Sequence, residues 1–163
     1  MRIRLCEATI QDIDRRFGNN VRVQRSKKYS VRIKEYILDP LYVVFEVTGG
    51  AKPYEVHLAF EDVSPKTVTA LKKSLRNGQS KISCSCDDFR YRFSYWSTRR
   101  NFGLDNEHRP AKIRNPNDSL GPACKHVAAV IKNTNWVYSL MADMKKGNTH
   151  KDDEKKDETE HET

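Results

Sequence analysis

The sequence predicts an α+β fold, a small antiparallel β-sheet with flanking helices, and three observations support it. Between Tyr29 and Phe60, β-branched and aromatic residues gather in short runs divided by the turn-forming stretches Asp39-Pro40 and Gly49-Gly50-Ala51-Lys52-Pro53. The segments before and after those runs carry apolar residues at helical spacing between recognisable start and stop residues. The chain has 163 residues, 37% hydrophobic and 32% charged, which leaves material for one domain with a small core.

Taken in order, residues 8–18 (ATIQDIDRRFG) predict a short amphipathic helix, with Thr9 as cap, Ile10, Ile13 and Phe17 as the apolar stripe and Gly18 as stop. Residues 21–24 (VRVQ), 29–38 (YSVRIKEYIL), 41–47 (LYVVFEV) and 54–60 (YEVHLAF) predict strands; Tyr29, Val31 and Ile33 alternate with polar residues as on a half-buried sheet. Residues 64–78 predict a helix capped by Ser64, with Pro65 in its first position, Val68, Leu71 and Leu75 inward and Gly78 at its end. Ile82 and Cys84 then share one face of an extended segment.

Residues 88–103 fit two patterns. Phe89, Tyr91, Phe93 and Tyr95 alternate as on a strand, whereas Phe89, Phe93 and Trp96 fall at helical spacing between an Asp87 or Asp88 cap and a Gly103 stop. The length of the run favours helix. Pro110, Pro116 and Pro122 mark a loop. Residues 123–146 read as a final helix, either continuous or broken near Asn133-Thr134-Asn135.

The net charge of +8 is unevenly placed. Residues 147–163 hold three lysines against seven acids, a net of −4, so residues 1–146 carry +12. Such a tail lacks the apolar surface needed to order itself and is expected to be disordered, either as a solvated terminus or as a strip that screens the basic body. The expected organisation is an α+β part over 1–79, a metal-bearing part with a long insert over 80–146, and the acidic tail over 147–163.

Several classes are set aside. No run approaches the roughly 18 apolar residues of a membrane span, and the start, MRIRLCEATI, lacks the apolar stretch of a secretory signal. The reading is a protein of the cytoplasm. Two disulfides among the four cysteines conflict with that, and Cys84 and Cys86 are too close for two distant partners. There is no phosphate loop, nucleophile elbow or paired-carboxylate motif, so neither an enzyme nor a small-molecule substrate is expected.

Cys84, Cys86, Cys124 and His126 carry the strongest chemical signal. Thiolates and imidazole suit zinc, which prefers four such ligands in a tetrahedron. Cys-x-Cys on an extended segment aims both sulfurs one way, and Cys-x-His at a helix start does the same before the chain is fully helical. Four protein ligands leave no position for water, so one structural ion is expected.

Cys-x-Cys, a gap, then Cys-x-His before an apolar helix resembles the SWIM-type zinc finger. Asp88-Phe89 after the second cysteine and Lys125 between the last two ligands belong to the resemblance. It implies a small ββα-type module that binds DNA or proteins rather than doing chemistry. The gap between Cys86 and Cys124 is longer than in most members of that family. Its ending, residues 109–126 (RPAKIRNPNDSLGPACKH), is similar to SWIM-bearing proteins of tailed bacteriophages, which implies virion proteins as alternative partners.

The insert holds Arg90, Arg92, Arg99, Arg100, Arg109, Lys112 and Arg114 against only Asp105 and Glu107, interleaved with six aromatic residues. With Lys125, these are the expected contacts to DNA or RNA: cations neutralise phosphates and exposed rings stack on bases. The rings could equally form the small core around the metal with arginines facing outward, and the two readings are compatible. Cys6 is expected to be a small buried residue. His57 is expected to be exposed or hydrogen-bonded rather than a ligand.

Overall fold

The computed structural model describes residues 9–60, 64–133 and 135–157. Cys6 therefore lies outside the described residues. Helix α1 (Ile10–Phe17) starts as the sequence predicts: Thr9 and Asp12 form a reciprocal capping box, which satisfies two amide donors that the first turn leaves free. It ends at Gly18, whose φ of 52° lies in the left-handed region that a side chain disfavours.

Residues 21–24 are not a strand. They open a second short helix, α2 (Val21–Ser26), because the Asn20 side chain accepts hydrogen bonds from the amides of Arg22 and Val23. That local cap outweighs the β-branched character of two valines.

Strands β1 (Ser30–Leu38), β2 (Leu41–Thr48), β3 (Tyr54–Phe60) and β4 (Ser80–Cys84) form one antiparallel sheet in the order β1-β2-β3-β4. A bulge between Ile33 and Glu35 shifts the β1–β2 register by one residue. Phe45 pairs with Val56, and Val56 pairs with Cys84, so the metal-ligand strand continues the sheet's inner face. On that face Val43, Phe45, Val47, Val56, Leu58 and Ile82 are fully buried.

Helix α3 (Val68–Asn77) buries Leu71 and Leu75. Its cap is Thr67, which accepts from the Ala70 amide at 3.1 Å, not Ser64. Ser64 instead donates its hydroxyl to Asp39.

The run after β4 is helical: a π-helical turn (Phe89–Phe93) leads into α4 (Ser94–Arg99). Phe89 and Phe93 on one face are wholly buried, which the helical spacing anticipates. The chain then returns to the sheet. Ile82 bridges Gly103 in parallel, with hydrogen bonds from the Ile82 amide to Phe102 O (2.8 Å) and from the Leu104 amide to Ile82 O (2.9 Å). The insert thus pairs with the free edge of β4.

Helix α5 (Lys125–Lys132) is the apolar centre of the fold and touches all four strands as well as α1 and α2. After α5 ends at its cap residue Asn133 comes α6 (Asn135–Asp157). Trp136 packs edge-on against Phe45 at 4.9 Å and donates to Val130 O at 2.9 Å, so α6 is anchored to both the sheet and α5. Where the sequence predicts disorder from Gly147, the backbone continues as helix to Asp157; residues 158–163 lie outside the described residues. Extending a helix already nucleated by an anchored start costs far less than beginning one. No helix among the described residues is long and apolar enough to cross a membrane.

Candidate metal centre

Each ligand is placed by the local backbone. Cys84 ends β4, and Cys86 follows a residue still tied to β3: the Ser85 amide donates to Glu55 O, and the Glu55 amide donates to Ser85 Oγ, both at 3.0 Å. Extended chain thus continues past the strand, and both sulfurs turn inward. Cys124 is the cap residue of α5 and is itself extended (φ −75°, ψ 172°), while His126 lies in the first turn. This half-helical geometry lets residues two apart converge.

The four ligand atoms lie within 4.8 Å of one another, and all four residues are buried. His126 Nδ1 is 3.8 Å from Cys84 Sγ and 4.0 Å from Cys124 Sγ. A zinc tetrahedron with Zn–S about 2.3 Å and Zn–N about 2.0 Å has S···N edges of about 3.6 Å. The residues fit the ion. No disulfide competes, since all three cysteines are free.

Three buried thiols at this spacing cannot all ionise unaided. Hydrogen bonds from Cys124 and Cys84 hold the Cys86 thiol far below its ordinary range, helped by the Phe89 amide, 3.3 Å from its sulfur. Burial first, then its bonds to the other two sulfurs, pushes Cys124 up. Cys84 is also raised: its bond with Cys124 acts to lower it, but the bond to Cys86 and burial outweigh that. One thiolate held among two thiols is an arrangement that a divalent cation completes. Bound here, zinc would supply a cross-link between β4, the start of the insert and α5.

The imidazole is held between two tyrosines, Tyr54 at 4.5 Å and Tyr29 edge-on at 4.9 Å between ring centres. Its Nε2 is buried without a hydrogen-bond partner. Sequence reading missed these walls, because they come from distant strands and the region before β1. It missed Arg22 as well, which pairs with Asp88 at 3.2 Å across 66 positions and lies 4.8 Å above the Phe93 ring. Asn115 is a third omission. Buried within the loop, it donates to Arg92 O (2.8 Å) and accepts from Trp96 Nε1 through its carbonyl (2.7 Å).

The basic residues predicted to contact nucleic acid divide by environment. Arg92 pairs with Asp88 at 2.7 Å. Arg100 pairs with Asp118, a carboxylate only 5% exposed that Arg16 also approaches at 3.8 Å. Arg109 pairs with Glu107 at 2.8 Å and holds that carboxyl at a pKa of about 2. Arg90 and Arg114 flank the Tyr91 ring, their guanidinium carbons 5.5 and 5.3 Å from its centre. Arg99 and Lys112 are exposed, and Lys125 lies 5.8 Å from the Tyr29 ring. Of the insert's six aromatic residues, Phe89, Phe93 and Phe102 are buried, Tyr95 and Trp96 are half-buried, and Tyr91 is 46% exposed. His57 is hydrogen-bonded to Tyr42 (Nδ1···Oη 2.6 Å) and lies away from the metal cluster, as expected.

No curated protein and no solved structure matches the chain. A family model described as SWIM zinc finger matches residues 54–135, just over half of the chain, from the start of β3 to the start of α6, and all four ligands fall within it. The protein belongs to the SWIM zinc finger family.

Proposed function

We propose that the protein is a non-catalytic nucleic-acid-binding module in which zinc holds the fold and the outer face of the insert makes the contact. The observation that carries this reading is Tyr91, the exposed ring of the insert, flanked by Arg90 and Arg114. A partly exposed ring with two guanidiniums near it offers a stacking surface for a base and two charges for the neighbouring phosphates. Arg99 and Lys112, both exposed, add to the positive charge of the insert. Arg92, Arg100 and Arg109 already have carboxylate partners and serve more as supports. Four ligands on one ion leave no open coordination position, which argues for a structural and against a hydrolytic zinc. Three free thiols suit a reducing cytoplasm.

The test is binding to single-stranded and duplex DNA and RNA across a salt series. Affinity should fall steeply with salt, and Tyr91→Ala should cost about 1–3 kcal/mol on single strands. Absence of binding at low salt would sink the reading.

One feature favours protein docking instead, including to virion proteins of a phage particle. Ile113, beside Arg114 on the insert loop, is 91% exposed. An isoleucine so placed suits an apolar partner better than a phosphate backbone. Under that reading Ile113→Asp abolishes partner capture and leaves nucleic-acid affinity unchanged.

A further inference from the structure

A cavity of about 320 Å³, lined by Gln24, Arg25, Lys28 and Lys125, opens between α2 and the start of α5. Its volume is at the lower end of the range of small-ligand sites, about 300–1,000 Å³. Three of its four lining residues are cations, and no carboxylate pairs with any of them among the described residues. By contrast, Arg22, Arg92, Arg100 and Arg109 each have a carboxylate partner. Positive charge gathered in a concave site raises the local concentration of anions there.

The lysines are also oriented. Lys28 Nζ and Lys125 Nζ lie 5.2 and 5.8 Å from the centre of the same Tyr29 ring, which attracts both ammonium groups. Tyr29 is buried and rests edge-on against His126, so the ring that both lysines approach also touches the metal ligand. Across the imidazole, Lys52 Nζ stands 5.4 Å from the centre of the Tyr54 ring.

We propose that this cavity binds a phosphate group, with Arg25, Lys28 and Lys125 as its cationic contacts and the Gln24 amide as a neutral donor. Arginine supplies a planar pair of donors and lysine a point charge, a combination suited to the tetrahedral oxygens of a phosphate. The site is separate from the Tyr91 face and does not rest on it. Either a free phosphate or a backbone phosphodiester could supply the group.

The experiment uses the full-length zinc-loaded protein, its Lys28→Gln/Lys125→Gln double variant and an Arg90→Gln/Arg114→Gln control. Zinc content and circular dichroism confirm that each is folded. Each protein is titrated with inorganic phosphate, followed by amide NMR shifts, and with a single-stranded oligonucleotide across a salt series. If inorganic phosphate shifts the amides of residues 24–28 and 125 in the parent and the insert control but not in the cavity variant, the site takes free phosphate. If only the oligonucleotide binds, and the cavity variant loses about tenfold or more with a salt slope shallower by about 1.4, the site takes the strand backbone. Equal affinity of parent and cavity variant for both probes overturns the proposal. Loss of oligonucleotide affinity in the insert control alone leaves the Tyr91 reading standing without the cavity, and loss in the cavity variant alone does the reverse.

Discussion

Replacing Cys124 by Ser tests the metal centre most directly. Zinc joins Cys86 to Cys124 across 37 intervening residues. Closing a loop of that length removes chain entropy worth about 4 kcal/mol from the unfolded state, by the relation used for covalent cross-links. Further losses follow, since a buried thiolate, a thiol and an imidazole lose their common partner in a core that contains the whole of α5's inner face. Total stability for a domain of this size is about 5–15 kcal/mol. The variant should therefore melt at least about 8–16 °C below the parent, from about 2–4 °C per kcal/mol, or fail to fold. The measurement is a thermal melt followed by circular dichroism, paired with metal analysis, which should find one zinc per parent chain and none in the variant. Chelation of the parent should reproduce the variant's melt. A variant that keeps the parent's melting temperature, or a parent as stable without metal as with it, refutes the cross-link.

Phe93→Ala should destabilise by about 3–5 kcal/mol in a denaturant titration, because its ring is completely buried. Gly103→Ala should cost about 1–3 kcal/mol, since an added Cβ would stand 2.6 Å from Ser97 Oγ and 2.7 Å from the Thr98 amide nitrogen. Hydrogen exchange should then report loss of protection at Ile82 and Leu104, whose amides bond across that bridge. Asp118→Ala should cost about 1–2 kcal/mol, less than a fully buried pair, because Arg100 and Arg16 keep part of their solvent contact. Glu107 titrates at about 2, below its unfolded value of about 4.3. Its contribution is therefore present above that unfolded value and lost as pH falls toward 2; Glu107→Gln should flatten that part of the acid-stability curve.

The sheet, α1 and the four ligands were legible because each follows from local pattern: alternation, a capping pair, and two short x-spacings. What escaped depends on a competing local bond or on distance. Asn20 converts two β-prone valines into a helix by offering its side chain to two amides. Thr67 rather than Ser64 caps α3 because the helix starts three residues later than Pro65 suggests. Arg22 with Asp88, and the two tyrosines against His126, are separated by tens of residues and leave no periodic trace. The residue count of the gap announces an insert but not its form. Its aromatic residues satisfy two periods at once, and only burial of Phe89 and Phe93 on the same side decides between them.

That burial constrains where recognition can occur. A long insert need not be a free arm: this one contributes Phe89, Phe93 and Phe102 to the core, pairs with the edge of β4, and is pinned to its own helix by Asn115. Its inward rings are committed, and so are Arg92 and Arg100, whose carboxylates hold adjoining segments together. Two basic surfaces remain outward among the described residues: the Tyr91 face with its two arginines, and the cavity by Tyr29 with its lysines. Each includes a residue close to a metal ligand in sequence: Tyr91 follows Cys86 by five positions, and Lys125 lies between Cys124 and His126. Under the proposed function, a structural ion in this position would contribute to binding without touching the ligand, by fixing the spacing between the two basic surfaces before either is occupied.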